Sequence, residues 1–243
     1  MGPTFVHYIP IVTTILAVPF ALEISRRYRA HPERLHLLWW AIGIATYGVG
    51  TFTEAFTTLA GWNEPTFRAW YISGALLGGA PLAQGTVYLL LPRRVAHVLT
   101  VILVGFIATA SIAVLMSPIN YTLVEPHRLT GAVLEWRWVR YFSPFVNLYA
   151  VVFLIGGAIL SALRYSGNPS TRHRAVANVL IAAGAILPGI GGTATRMGYT
   201  EILYVTELAG LILTWMGYRM SVRPGVARDT SPAHTRHPVP GIP

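Results

Sequence analysis

The chain of 243 residues contains no cysteine and no lysine, and only 11% of its residues are charged. Without cysteine it forms no disulfide, thiolate metal site or iron–sulfur cluster, and it has no cysteine nucleophile. Without lysine it forms no Schiff base, which excludes retinal or pyridoxal phosphate bound in that way. Soluble domains are about 25% charged, so this chain has too few charges to cover a surface that faces water on all sides.

Apolar sequence is abundant instead: hydrophobic residues make up 53% of the chain, in long runs from end to end. A helix of about 20 apolar residues crosses a bilayer. We therefore predict an all-α integral membrane protein, a bundle of seven transmembrane helices. The expected spans are Val6–Ile24, Leu35–Ala60, Phe67–Leu91, Val95–Met116, Tyr141–Leu163, Ala175–Met197 and Glu201–Met220.

The arginines between these spans predict the orientation. One side would hold thirteen of them, at positions 26, 27, 29, 34, 93, 94, 164, 172, 174, 219, 223, 228 and 236. The other would hold five, at positions 68, 128, 137, 140 and 196. Basic residues concentrate on the cytoplasmic side of membrane proteins, so we expect the N-terminus outside and the C-terminus in the cytoplasm. The same topology signal explains the net charge of +9 without nucleic acid as a partner.

Two regions differ in composition. Residues 1–220 form the predicted transmembrane domain, and residues 221–243 form a tail rich in Pro, Arg, His and Thr that has no apolar face to bury. Such a tail is best held extended along another chain. The lipid bilayer is thus one expected partner, and other membrane subunits bound through the tail are another. We expect the protein in a bacterial inner (plasma) membrane.

Two prolines lie inside predicted spans and are candidate hinges. Pro81 and Pro188 each remove a backbone donor, so each should kink its helix. Pro188 also opens the sequence Pro-Gly-Ile-Gly-Gly, the most irregular segment in any span. We expect either a packing kink or a hinge there.

Four ionisable residues stand out because charges inside a membrane are unfavourable and usually functional. Glu54 lies roughly six residues, or ~9 Å, to the outer side of the middle of its span, and Glu207 lies in the outer half of the last span. Arg68 and Arg196 fall at a similar depth. In one interpretation the two acids pair with the two arginines and fix the helices in register.

In the other interpretation these charges line an outward-facing pocket. Tyr71 and Tyr204 would contribute aromatic walls, together with Tyr47, Trp70 and Thr195, and the pocket would suit a small ligand. A variant of this idea has one glutamate protonated by burial and carrying a proton. The candidate ligand-binding residues are therefore Glu54, Arg68, Tyr71, Arg196, Tyr204 and Glu207.

The sequence contains no nucleophile–base or metal-binding constellation, so we expect no enzyme and no metal site. Three histidines, at positions 36, 97 and 173, lie near span ends without a partner at a recognisable spacing, so we do not expect haem. The cofactor, if there is one, stays unknown. The layout resembles, in topology alone, that of rhodopsins and receptor-type sensors.

Three hypotheses for the function follow. The first is a non-enzymatic, receptor-like protein that binds a small or lipidic ligand in the outer half of the bundle. The second is an accessory subunit of a respiratory or photosynthetic membrane complex, held by its tail. The third is a small transporter or proton-coupled carrier.

Overall fold

The computed structural model describes residues 5–167 and 169–222, apart from the side chains of Pro169 and Arg196. The described chain is all-helical, with no strand, which confirms the predicted fold class at that level. Its α-helices are α1 (Ile9–Ala30), α2 (Leu35–Ala60), α3 (Glu64–Trp70), α4 (Ala80–Leu90), α5 (Arg93–Met116), α6 (Phe142–Ala150), α7 (Gly156–Ser166), α8 (Arg172–Arg196) and α9 (Thr200–Val222).

Five helical segments are long and apolar enough to cross a membrane. They are Phe5–Ala30, Leu35–Ala60, Arg93–Met116, Arg137–Ser166 and Arg172–Thr195. Large apolar side chains cover much of the molecular surface; Val101 and Leu163, for example, are 73% and 68% exposed. An apolar surface of this kind is stable against lipid and not against water, so the fold is that of an integral membrane protein.

The third helical segment is broken. α3 continues into a π-helical stretch, Tyr71–Leu76, and Gly78 then adopts a positive φ of 44° before α4 begins. Pro81 lies in the first turn of α4, where a missing backbone donor is tolerated. The prediction of a kink at Pro81 inside one continuous helix is therefore wrong, because the chain breaks at Gly78 and restarts. Pro188, by contrast, lies within the continuous helix α8.

The two ends of the bundle differ. At one end, which we call the loop end, residues 117–136 fold into 3-10 turns and an isolated bridge between Ile119 and Leu134. Side chains from this connection pack with α3 and α5 in one apolar cluster of Phe67, Trp70, Tyr71, Ala113, Val114, Ile119, Leu129, Val133, Leu134 and Val139. The opposite end carries the arginines that flank α1, α4 and α9, and we call it the arginine-rich end.

Helices α8 and α9 form an antiparallel hairpin with very close backbones. A Cβ added at Gly210 would lie 2.7 Å from the carbonyl oxygen of Gly184 and 3.0 Å from Cδ of Pro188. In membranes, glycines allow such approach where packing drives helix association. One face of α9 packs against α1 and α2: its residues Leu211 and Tyr218 lie in one buried apolar cluster with residues of both helices.

At the arginine-rich end, Glu23 ties α1 to α9. Its Oε2 atom accepts hydrogen bonds from Trp215 Nε1 at 2.9 Å and from Arg219 at 3.0 Å. The tail residues 223–243 lie outside the described residues, so the predicted role of the tail stays a prediction.

Candidate functional site

Glu54 and Glu207 meet between α2 and α9. Glu54 is 4% exposed, and its side chain lies within hydrogen-bonding reach of the side chain of Glu207. Glu207 is half-buried as a residue, but its carboxyl oxygen Oε2 is buried, as is Oε2 of Glu54. The sequence predicted a similar depth for the two residues, and in the structure their side chains are neighbours.

The carboxyl pair has no cation beside it among the described side chains. None of the ion pairs in this part of the chain includes Glu54 or Glu207, and the Oε2 atom of each accepts no hydrogen bond. Two carboxylates in contact at a buried site repel each other and cannot both stay charged. A single proton shared between them removes that repulsion and supplies the missing donor.

An aromatic shell surrounds the pair. Trp70 donates from Nε1 to Oε1 of Glu54 at 2.9 Å, and Tyr47 donates from its hydroxyl to the backbone carbonyl of Glu207 at 2.8 Å. Tyr204 is 3% exposed and lies one turn from Glu207 on α9. Its ring packs edge-on against the ring of His7 at 5.8 Å. Trp70 therefore positions the carboxyl group of Glu54, and Tyr47 holds the backbone of α9 at Glu207.

A line of polar side chains connects the pair to the loop end. On α9 it runs from Thr200 through Tyr204 to Glu207, spacings that share one helix face. On α2, Thr58 lies one turn beyond Glu54 and donates to the carbonyl of His7 at 3.2 Å. The hydroxyl of Thr200 is buried without a hydrogen-bond partner. We call this set the polar seam.

Arg128 closes the loop-end side of the polar seam. It lies near enough to Tyr204 to act on it electrostatically. It donates to the carbonyl of Thr195 at 3.3 Å and pairs with Glu125 at 3.0 Å. Through Arg128 the loop connection thus meets the end of α8, close to Tyr204 on α9.

On the opposite side the pair is sealed. An apolar cluster fills the space between α1, α2 and α9 toward the arginine-rich end; its buried members are Ala17, Phe20, Ile24, Leu37, Ala41, Ile44, Leu211 and Tyr218. Phe20 stacks on Trp215 with ring centroids 5.4 Å apart. Closely packed apolar side chains of this kind disfavour the passage of a proton or a polar solute.

Arg68, a predicted member of the site, lies elsewhere. It forms its ion pair with Glu64 at 2.7 Å and donates to the carbonyls of Val114 and Ser117 at the end of α5. A cation at a helix C-terminus satisfies carbonyls that have no partner within the helix. The interpretation in which Arg68 neutralises Glu54 or Glu207 is therefore not what the structure shows.

Glu64 completes this second cluster at the start of α3. The hydroxyl of Tyr121 donates to its Oε2 atom at 2.6 Å. That hydrogen bond, followed by the one from Arg68, holds the pKa of Glu64 below its usual value. A shallow cavity of about 540 Å³ beside it is lined by Glu64, Pro65, Arg68, Ala69, Ile72 and Leu115. This groove lies next to Arg68 and does not include the carboxyl pair.

Tyr71 belongs to the apolar cluster at the loop end. Its ring packs so closely under Gly131 that an added Cβ there would lie 2.6 Å from Cε2 of Tyr71. The side chain of Arg196 lies outside the part of the chain that the structure describes, so its pairing with Glu54 or Glu207 stays a prediction. Of the six predicted ligand-binding residues, the structure brings together Glu54, Glu207 and Tyr204.

The sequence did not single out His7 or Arg128. His7 lies in the 3-10 turn before α1 and Arg128 lies in the connection between α5 and α6, so no helical spacing links either residue to Tyr204. A second polar network lies in the other half of the bundle. Gln84 is fully buried and donates to Thr100 at 2.8 Å, while Tyr149 donates to Gln84.

No group of three or more His, Asp or Glu side chains in the described ranges could hold a metal ion. Comparisons of the chain with protein families, with curated proteins and with solved structures found no match.

Proposed function

We propose that the chain is a receptor-like membrane protein that binds one proton at the pair Glu54–Glu207 and responds to the acidity of the outer aqueous phase. The contact between these two buried carboxyl groups, without a described cation, carries the proposal. Proton binding changes the charge of the pair, and a charge change inside a packed bundle shifts its conformational equilibrium.

In this proposal all seven helical segments span the bilayer. The broken segment formed by α3 and α4 and the last helix α9 join the five long apolar helices. The loop end faces outside, because the excess of arginine at the opposite end favours the cytoplasm. The carboxyl pair then lies in the outer half of the membrane.

Access to the pair is from the outside. The polar seam, from Thr200 past Tyr204 to Glu207, offers hydroxyl groups that relay or hydrogen-bond a proton. The aromatic and apolar cluster around Phe20 and Leu211 blocks the inner half. A site open to one side only suits a sensor of that side.

A proton-coupled carrier is the second candidate, and the break at Gly78 favours it. Interrupted helices at membrane depth are common in transporters. A carrier must also open a route from Glu207 to the cytoplasm, which the cluster around Phe20 closes in this state. Proton uptake into proteoliposomes distinguishes the two: a carrier moves protons and loses this activity in Glu207→Gln, and a sensor moves none.

The test of the proposal uses Trp70 as a reporter, because its indole donates directly to Glu54. The protein is reconstituted in sealed vesicles, and only the pH on the loop-end side is changed. Subtracting the fluorescence emission of the same protein with Trp70→Phe leaves the emission of Trp70 alone. We expect the Trp70 emission to change with pH in the wild-type background and to stay constant in the Glu207→Gln background.

Glu201→Gln is the matched control, because Glu201 lies on the same helix but is exposed. It should respond as wild type does. A response that persists unchanged in both Glu54→Gln and Glu207→Gln would overturn the proposal. So would a response to the pH of the opposite side alone.

A further inference from the structure

The break between α3 and α4 lies beside a second set of polar atoms, distant in sequence from the carboxyl pair. The π-helical stretch Tyr71–Leu76 ends in a turn in which Gly78 donates to the carbonyl of Gly74 at 3.0 Å. Non-helical backbone at membrane depth is stable only where it is buried in protein or lines a polar site. The residues that pack against the break therefore indicate whether it is only buried or lines a polar site.

Two oxygen atoms face the space beside Gly78. A Cβ added there would lie 3.2 Å from Oδ1 of Asn147 and 3.5 Å from the carbonyl oxygen of Gly74. Glycine leaves this space open. Among the described hydrogen bonds, the side chain of Asn147 takes part in none, although it is exposed on an apolar surface. An amide there without a partner is unfavourable in lipid.

A third oxygen lies on the same face of α6. Ser143 precedes Asn147 by four residues, and its hydroxyl is buried without a hydrogen-bond partner, with the residue 5% exposed. Val146, between them, packs in one cluster with Leu76 and Ala80, the residues on either side of the break. The face that carries Ser143 and Asn147 is therefore the face that meets the break.

The segment beyond Asn147 is also π-helical. Residues Val151–Ile155 widen the helix, and this widening lies against the break: a Cβ added at Gly79 would lie 3.7 Å from Cδ2 of Leu154. Short π segments within helices occur often at functional sites. Two such segments that meet beside unpartnered oxygens indicate a shaped site and not a packing irregularity.

We propose that Gly74, Ser143 and Asn147 form a binding site for a monovalent cation, of the size and hardness of Na⁺. The donors are a main-chain carbonyl, a hydroxyl and an amide oxygen, which suit hard cations. The C-terminal end of the stretch Tyr71–Leu76 adds the negative pole of its helix dipole. Without an acidic group the site is too weakly charged for a divalent ion.

The test is thermal unfolding of the purified full-length protein in NaCl and in N-methyl-D-glucamine chloride at equal ionic strength. We expect Na⁺ to raise the Tm of wild type with saturation, by about 3–6 °C at ten times its Kd. Asn147→Ala and Ser143→Ala should lose this Na⁺-specific rise. Binding of radioactive Na⁺ to folded protein gives an independent readout where a variant is less stable.

Asn178→Ala is the control, because Asn178 is half-buried and, among the described hydrogen bonds, its side chain bonds only to its own helix, through the carbonyl of Arg174 at 2.8 Å. It should keep the full response to Na⁺. Glu207→Gln should keep it as well, which separates this site from the proposed proton site. Variants that lower Tm equally in both salts would show that Asn147 is only a structural hydrogen-bonding group, and would overturn the proposal. Equal stabilisation of wild type by both salts would do the same.

Discussion

Because α8 and α9 pack so closely, we expect a glycine-to-alanine substitution on α8 to lower the free energy of unfolding at one position and to raise it at another. At Gly184 an added Cβ would contact the hydroxyl of Thr214 and lie 2.7 Å from the carbonyl oxygen of Gly210. At Gly192, on the same helix, no atom lies within 4 Å of an added Cβ. The substitutions Gly184→Ala and Gly192→Ala therefore add the same methyl group, the first into a close-packed helix contact and the second at a position with no neighbouring atom.

The magnitudes follow from two opposing effects. Alanine in place of glycine favours a helix by about 1 kcal/mol. Overpacking costs about 1–3 kcal/mol, and Gly184 lies at the high end because the atoms it meets include rigid backbone. We expect Gly184→Ala to lower the free energy of unfolding by about 1–2 kcal/mol and Gly192→Ala to raise it by up to about 1 kcal/mol.

The assay is thermal unfolding of both variants in the same detergent or lipid nanodisc. The resulting difference of about 1–3 kcal/mol corresponds to about 2–12 °C in Tm between the two variants. Because Gly184 packs against Gly210, three residues from Glu207, the tight variant should also weaken the Trp70 response to pH. Equal shifts of Tm in both variants would refute the close packing of the hairpin.

The cluster around Arg68 gives the remaining predictions. Arg68→Ala should lower the free energy of unfolding by about 2 kcal/mol or more, since hydrogen bonds to charged groups contribute about 1.5–3 kcal/mol; the exposed Arg140→Ala should leave the Tm unchanged. Glu64 has a lowered pKa in the folded protein. Its charge therefore stabilises the fold above the pKa of the unfolded chain, about 4.3. This stabilisation is lost as the pH falls through the pKa of the folded protein. Unfolding measured against pH should therefore show a shallower acid-side decline in Glu64→Gln, and identical declines in the two proteins would contradict the assignment.

The helical fold could be predicted from the sequence because runs of apolar residues determine where helices cross a membrane. The ends of α2 and α5 agree with the predicted spans to within two residues. The break at Gly78 could not be predicted, because π-helical stretches have no residue pattern of their own. Pro81 indicated a disturbance nearby, but proline is also common in the first turn of a helix.

The site could be predicted only in part, since helix depth can be estimated from sequence and helix neighbours cannot. Glu54 and Glu207 were expected at similar depth, and the packing of α9 against α2 makes them touch. The sequence contains a local indication of the partner of Arg68, because Glu64 precedes it by four residues, the spacing of a helical ion pair. This spacing is a better guide to the partner than a similar depth in the membrane. No such spacing connects Arg128 or His7 to Tyr204.

The central claim is that Glu54 and Glu207 share one proton, and infrared spectroscopy tests it most directly. The carbonyl-stretch band of a protonated carboxyl group is distinct from the bands of carboxylates and amides. In wild-type protein at neutral pH we expect such a band, sensitive to hydrogen–deuterium exchange and absent in both Glu54→Gln and Glu207→Gln. Glu201→Gln should retain it. A wild-type spectrum with every glutamate ionised at neutral pH, or a band that survives in both variants, would contradict the shared proton.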